Sequence, residues 1–150
     1  MIDTTLCHLE QNDCYLMLHR IKKEKDVNKD KWIGVGGKFL EGESPEECAR
    51  REILEETGLI VDQLEYRGIV DFHCIGWPDE RMHLFWSNSW SGQLKECDEG
   101  ALEWVEKSRM GDLPQWEGDK IFLKLLEERA PFFHLELFYE GDRLVEWKML

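Results

Sequence analysis

Positive charge is what this chain has least of. Its 150 residues carry 19 Lys and Arg against 32 Asp and Glu, a formal net charge of -13. Binding to polymeric nucleic acid needs a basic footprint, so no DNA or RNA polymer is expected as a partner. Anionic membrane surfaces should repel the chain as well, and no apolar run approaches the roughly 18 residues of a membrane span. The N-terminus, Met1-Ile2-Asp3-Thr4, has neither a basic region nor a long apolar core, so no secretory leader is expected. The five cysteines, at 7, 14, 48, 74 and 97, are odd in number and form no C-x-x-C pair. That argues against a disulfide frame or a zinc site and for free thiols in a reducing compartment, with the cytoplasm as the expected location. The five histidines, at 8, 19, 73, 83 and 134, show no metal-ligand spacing, and no Ser-His-Asp grouping is visible.

What remains is ample for a core. A hydrophobic fraction of 42 %, with seven Trp and seven Phe, fits one packed domain over residues 1–150. Thr4–Leu9 and Cys14–His19 read as strands around a Glu10-Gln11-Asn12-Asp13 turn. The charged stretch 22–31 reads as a loop, and Trp32–Gly37 as a short strand entering a glycine-rich turn. Further strands are expected over 64–72, 81–90 and 99–105, with a turn at Gly76-Trp77-Pro78-Asp79. Ile121, Phe122, Leu125 and Leu126 place one apolar stripe on a helix over 119–129, ended by Pro131. Phe133–Tyr139 and Arg143–Met149 should pair as a hairpin through Glu140-Gly141-Asp142. Strands dominate and helices occur in two places, so a mixed sheet flanked by helices is expected.

The chemistry is concentrated between residues 34 and 59. Ser44-Pro45-Glu46-Glu47 is a helix start, with a capping Ser, Pro at the first helical position and the acid of a capping box. Gly58 is a natural stop, so the spacing predicts a helix from Pro45 to Thr57. Glu52, Glu55 and Glu56 then share a face, while Ala49 and Ile53 can pack against a sheet. Three like charges this close repel, and a hard divalent cation would convert that liability into a site. Taken alone, the acids read more readily as a solvated face partly neutralised by Arg50 and Arg51.

The surrounding residues add a pattern. Gly37, Glu43, Arg51-Glu52, an aliphatic at 53, Glu55-Glu56, Gly58 and an aliphatic at 59 match the Nudix box at every defined position. The chain therefore resembles the Nudix hydrolases. The resemblance implies an α+β fold, an α/β/α sandwich with a mixed sheet and the box as loop–helix–loop. It also implies Mg²⁺-dependent cleavage of a nucleoside diphosphate linked to another group, with Mn²⁺ as a possible substitute.

Trp32, Gly34, Gly36-Gly37-Lys38, the segment around Met82-His83-Leu84-Phe85, Asp98-Glu99 and Trp116–Asp119 are similar to the oxidised-purine nucleoside triphosphatases within that family. This likeness implies roles residue by residue. Glu52, Glu55 and Glu56 become metal ligands or water-activating acids, completed by the Gly36 carbonyl and Glu99. Arg51, paired with Glu43, would orient the helix. Gly36, Gly37 and Lys38 would meet phosphate, and Thr5 and Arg20 the sugar or substrate. Trp116 would stack on the base, or else belong to the core. Asp119 would bond the base edge, or else cap a helix beginning at Lys120. Two departures bear on the base: Ile33 and Gly118 stand where the oxidised-purine enzymes carry a base-reading Asn and the first of two Asp. Ile offers no hydrogen bond, so triphosphate cleavage carries over better than a preference for 8-oxoguanine.

The implied function is Mg²⁺-dependent hydrolysis of 8-oxo-dGTP or other oxidised purine (deoxy)nucleoside triphosphates to monophosphate and pyrophosphate, as in pool sanitation supporting DNA repair. The box alone would also suit a dinucleoside polyphosphate, ADP-ribose, a nucleotide sugar or an mRNA cap, or a module that senses a nucleotide without cleaving it. The expected partner is a small nucleotide, and a monomer or small homo-oligomer fits equally.

Overall fold

The computed structural model describes residues 1–150. In chain order the elements are β1 (Ile2–Gln11), β2 (Cys14–His19), β3 (Trp32–Ile33), α1 (Pro45–Thr57), β4 (Ile60–Val61) and β5 (Glu65–Cys74). They continue with β6 (Glu80–Ser87), β7 (Trp90–Ser91), β8 (Ala101–Glu106), a 3-10 turn (Lys107–Asp112), α2 (Asp119–Glu127), β9 (Phe133–Glu140) and β10 (Arg143–Met149).

The strands form one mixed eight-stranded sheet in the order β10-β9-β5-β6-β1-β2-β3, with β8 also paired to β2, and β4 and β7 make a separate small ribbon. β1 runs parallel to β6, with Thr4 opposite Met82 and Leu6 opposite Leu84, and β5 runs parallel to β9. Successive side chains of a strand point to opposite faces, and the core splits accordingly. Leu6, Val70, Leu84, Leu135 and Leu137 pack with Phe122 and Leu126 of α2. Cys7, Leu9, Leu16, Leu18 and Phe85 pack with Ala49 and Ile53 of α1. Each helix covers its own sheet face, the sandwich that the resemblance implied.

Local chemistry sets the helix bounds. Ser44 accepts from the Glu47 backbone N–H while Glu47 accepts from that of Ser44, Pro45 opens the first turn, and Gly58 closes it at φ 80°. The second helix is shorter than its apolar stripe suggested, because Arg129 turns left-handed at φ 52° and breaks the repeat. Its N-cap is Gly118, and Asp119 is the first helical residue, so Asp119 caps nothing.

Two strands also differ from expectation. The stretch 32–37 pairs as a strand only at Trp32–Ile33, followed by single bridges from Val35 to Cys7 and from Lys38 to Thr4. Gly36 sits at φ +153°, with its Cα so near the Thr5 carbonyl that a Cβ would lie 2.0 Å from the oxygen. The expected strand 81–90 ends at Ser87, whose hydroxyl donates to the Gln63 carbonyl at 2.5 Å; Trp90 pairs instead with Val61 in the small ribbon. No helix is long and apolar enough to cross a membrane.

Candidate active site

The glycine loop is pressed against α1 and the start of β1. Thr5 is buried there, its hydroxyl 3.4 Å from the Gly37 nitrogen and 3.5 Å from the Gly37 carbonyl. The Gly36 N–H donates to Glu56 Oε2 at 3.1 Å. Gly37 leaves room for Glu52, because a Cβ on it would lie 2.5 Å from the Glu52 carboxyl carbon. Two of the helix acids are thus held under the loop by its missing side chains.

The three acids that share a helical face on paper have three environments. Glu56 is buried at 7 % exposure, Glu52 is half-buried, and Glu55 is exposed. Arg51 links the outer two, with Nη1 2.8 Å from Glu52 Oε1 and 3.1 Å from Glu55 Oε2. Its Nε lies 2.6 Å from Glu43 Oε2, and its Nη2 donates to the Lys38 carbonyl at 3.0 Å. The Glu43–Arg51 pair therefore exists and ties loop to helix. The Arg51 hydrogen bond holds the Glu43 carboxyl down at about 2. Burial pushes Glu52 up, against the pull of Arg51.

Glu99 reaches the same place from the loop before β8. Arg20 Nη1 and Lys23 Nζ hold it at 3.2 and 2.9 Å, and Arg20 Nε also pairs with Asp26 at 2.8 Å. Arg20 is thereby committed to acids rather than left free for a sugar. Burial first, and then the nearby Glu99 and Glu52 carboxyls, push Glu56 up to about 9, against the Gly36 N–H it accepts. Glu99 is held below the usual carboxylate range: burial works against this, and Lys23, Glu56 and Arg20 outweigh it.

Acids crowded this way are what a divalent cation would relieve. Carboxylates of Glu52, Glu56 and Glu99 with the Gly36 carbonyl are hard oxygen donors of the type that Mg²⁺ and Mn²⁺ take. The three carboxylates do not converge into a ligating cluster, since Arg51 holds Glu52 while Arg20 and Lys23 hold Glu99. The donor set fits a divalent ion, and the side chains would have to release their guanidinium and ammonium partners to close on it.

Beside the acids opens a cavity of about 680 Å³, lined by Thr5, Arg20, Gly36, Gly37, Lys38, Glu52 and Glu99 at one end and by Ile33, Phe72, Met82, Trp116 and Asp119 at the other. Trp116 is only 5 % exposed. Its ring meets Phe72 and Tyr139 edge-on, Lys31 Nζ lies 4.4 Å from its centroid, and its Nε1 donates to Asn28 Oδ1 at 2.8 Å. It belongs to the core and also walls the cavity. Asp119 is 6 % exposed, and burial raises its carboxyl to about 8. Sequence reasoning missed Thr4, Asn28, Phe72 and Glu80, which also line this space. Phe72 and Glu80 lie in strands, where alternation could have placed them on the α2 face; nothing in the loop around Asn28 signals its place.

A protein-family model described as NUDIX domain matches residues 4–126. The chain is 33 % identical over 128 residues to the oxidized purine nucleoside triphosphate hydrolase of Danio rerio, covering 85 % of this chain and 82 % of the relative. The enzyme of the same name from Mus musculus is 30 % identical over the same shares. Among solved structures, a MutT protein from Bacillus halodurans superposes with a TM-score of 0.84 at 28 % identity, covering 99 % of this chain and 97 % of that one.

Proposed function

Since this chain belongs to the Nudix family and is a Nudix hydrolase, we propose that it is a divalent-metal-dependent pyrophosphohydrolase of purine nucleoside triphosphates, oxidised ones included. Residues 1–150 act as one such domain in the cytoplasm. The observation that carries the reading is the continuity of one cavity from the helix acids to a buried acid at an apolar end. Phosphate needs the first and a planar base suits the second.

Glu52, Glu56, Glu99 and the Gly36 carbonyl would hold Mg²⁺ or Mn²⁺, with Glu55 beside them. When bound, the ion supplies charge neutralisation at the phosphates and a more acidic water. Lys38 would meet phosphate oxygens, and the glycines let the chain approach them closely. Arg51 keeps Glu52 aimed at the loop. A carboxylate of the 52–56 group takes the proton of the attacking water. Water adds at phosphorus, the bond to the pyrophosphate oxygen breaks, and monophosphate and pyrophosphate leave. At the far end Trp116 and Phe72 flank the base and Asp119 meets its edge. Thr5 lies behind the loop, and Arg20 would act through Glu99.

The test is phosphorus NMR of a purine triphosphate digest, with Mg²⁺ and with chelator. Monophosphate plus pyrophosphate, formed only with metal, supports the reading. Diphosphate plus orthophosphate, or no turnover, contradicts it.

A further inference from the structure

Glu80 opens β6, opposite Ile2 of β1 and Phe72 of β5. It lines the same cavity and is half-buried. Its Oε2 accepts the Thr4 hydroxyl at 3.0 Å, its one hydrogen bond to the protein. Lys38 and Arg20 act on it only through space, and burial raises its carboxyl. The acceptor capacity that Thr4 leaves unused faces the cavity, where a ligand with N–H donors can take it.

The neighbours narrow the ligand. Glu80, Met82 and Leu84 share the sheet face that packs toward α2, where Phe72 and Trp116 also lie. Ile33, Phe72, Met82 and Trp116 give flat apolar walls, and the acids Glu80 and Asp119 supply the edge. Such a slot suits a planar ring whose rim presents N–H donors. A carboxylate accepts two parallel donors at once, as it does from an Arg fork. A guanine-type edge offers that pair, a ring N–H beside an exocyclic amino group. The adenine edge sets a ring acceptor beside its amino group, and that acceptor would face the carboxylate unfavourably.

Building on the proposed triphosphate reaction, we infer that Glu80 is a specificity-determining residue, its carboxylate accepting the adjacent ring N–H and amino group of a guanine-type base. Two charge-assisted bonds to the ionised form would be stronger than those the carboxylate makes with neutral partners. The Thr4 hydroxyl fixes the carboxyl plane.

The test compares wild type with Glu80→Gln on dGTP, 8-oxo-dGTP, dATP and 2-oxo-dATP, the last also carrying a ring N–H beside an amino group. Gln can keep the Thr4 bond but sets an amide donor against one base donor. The dGTP-to-dATP ratio of kcat/KM should fall about 10-fold to 100-fold, through KM, with dATP little changed and the melting temperature held. A uniform loss across all four nucleotides, or an unchanged ratio, would overturn the assignment. If Glu80→Gln fails to fold, Glu80→Asp, which retracts the same charge, should lower the ratio in the same sense. Calorimetric binding of dGTP and dATP without divalent metal separates this claim from the reaction. Should wild type release no pyrophosphate, a binding preference for dGTP that is lost in Glu80→Gln would still uphold Glu80, and no preference would overturn it.

Discussion

Glu56 accepts the backbone N–H of Gly36 at 3.1 Å, across twenty positions of sequence. That bond locks the glycine loop to the last turn of the chemistry-bearing helix and explains why Glu56 is buried while Glu55, one residue earlier, faces solvent. Gln at 56 keeps an acceptor for the same N–H and removes a carboxyl that burial has pushed up to about 9. Glu56→Gln should therefore retain or raise the melting temperature while cutting turnover by about 10²–10⁴-fold. Pyrophosphate release and a thermal melt on the same sample check both halves; wild-type turnover would remove Glu56 from the mechanism.

Gly37→Ala isolates the position of Glu52. The added Cβ would lie 2.5 Å from the Glu52 carboxyl carbon, the end of a side chain that can swing away. The fold should survive and kcat should fall by at least about 10-fold, as expected when a reacting group is displaced by an ångström or so. Gly36→Ala meets the Thr5 backbone instead, at 2.0 Å, and should cost folding outright. Soluble yield and melting temperature separate the two variants.

Arg51 binds Glu43, Glu52, Glu55 and the Lys38 carbonyl at once. Lys offers a point charge and no planar fork. Arg51→Lys should lower kcat more than it raises KM, since it loosens the acids without touching the base end. Steady-state kinetics on one triphosphate decides this; a pure KM effect would place Arg51 on the substrate.

Trp116 packs between Phe72, Tyr139 and Lys31. Trp116→Ala should cost about 3–5 kcal/mol of stability, and Trp116→Phe much less. If the ring also meets the base, Trp116→Phe raises KM by several-fold at near-native stability. An unchanged KM in that variant would leave Trp116 a core residue alone.

Asp119 gives a pH signature. Its carboxyl is raised by burial to about 8 in the fold, with Lys31 working against that, while an unfolded Asp titrates near 3.8. Between those values the folded state binds more protons than the unfolded, so stability falls as pH rises, at up to about 1.4 kcal/mol per pH unit. Below pH 4 both states are protonated and the contribution is whole. Asp119→Asn should flatten the decline, so its advantage over wild type grows between pH 4.5 and 7.5. Denaturant melts at both pH values check this; parallel pH dependence would contradict the raised carboxyl.

Elements with strong local chemistry were legible in the sequence. The capping box at Ser44 and Glu47, the Gly58 stop and the hairpin through Gly141 each depend on residues a few positions apart, and each stands where expected. The acids were legible as a group but not as individuals. A helical face sets which side chains are neighbours, whereas the burial of Glu56 comes from Gly36, and Glu55 is left with Arg51 of its own helix as its one side-chain partner. The cation partners of Glu99, Arg20 and Lys23, lie 79 and 76 positions away, a separation that no local pattern encodes. The apolar side of the cavity was half legible: Trp116 and Asp119 stood out by resemblance, while Glu80 looked like one more acid among 32 Asp and Glu.

In the proposed reaction one cavity joins the helix acids to a purine site. This arrangement is tested most directly by kcat/KM, with Mg²⁺, across dGTP, 8-oxo-dGTP, 2-oxo-dATP, dATP, ADP-ribose and a diadenosine polyphosphate, read by product analysis. Metal-dependent pyrophosphate release is expected, with the highest values on purine triphosphates and oxidised forms among the best. A preference for ADP-ribose or the dinucleotide, or a flat profile, would contradict it.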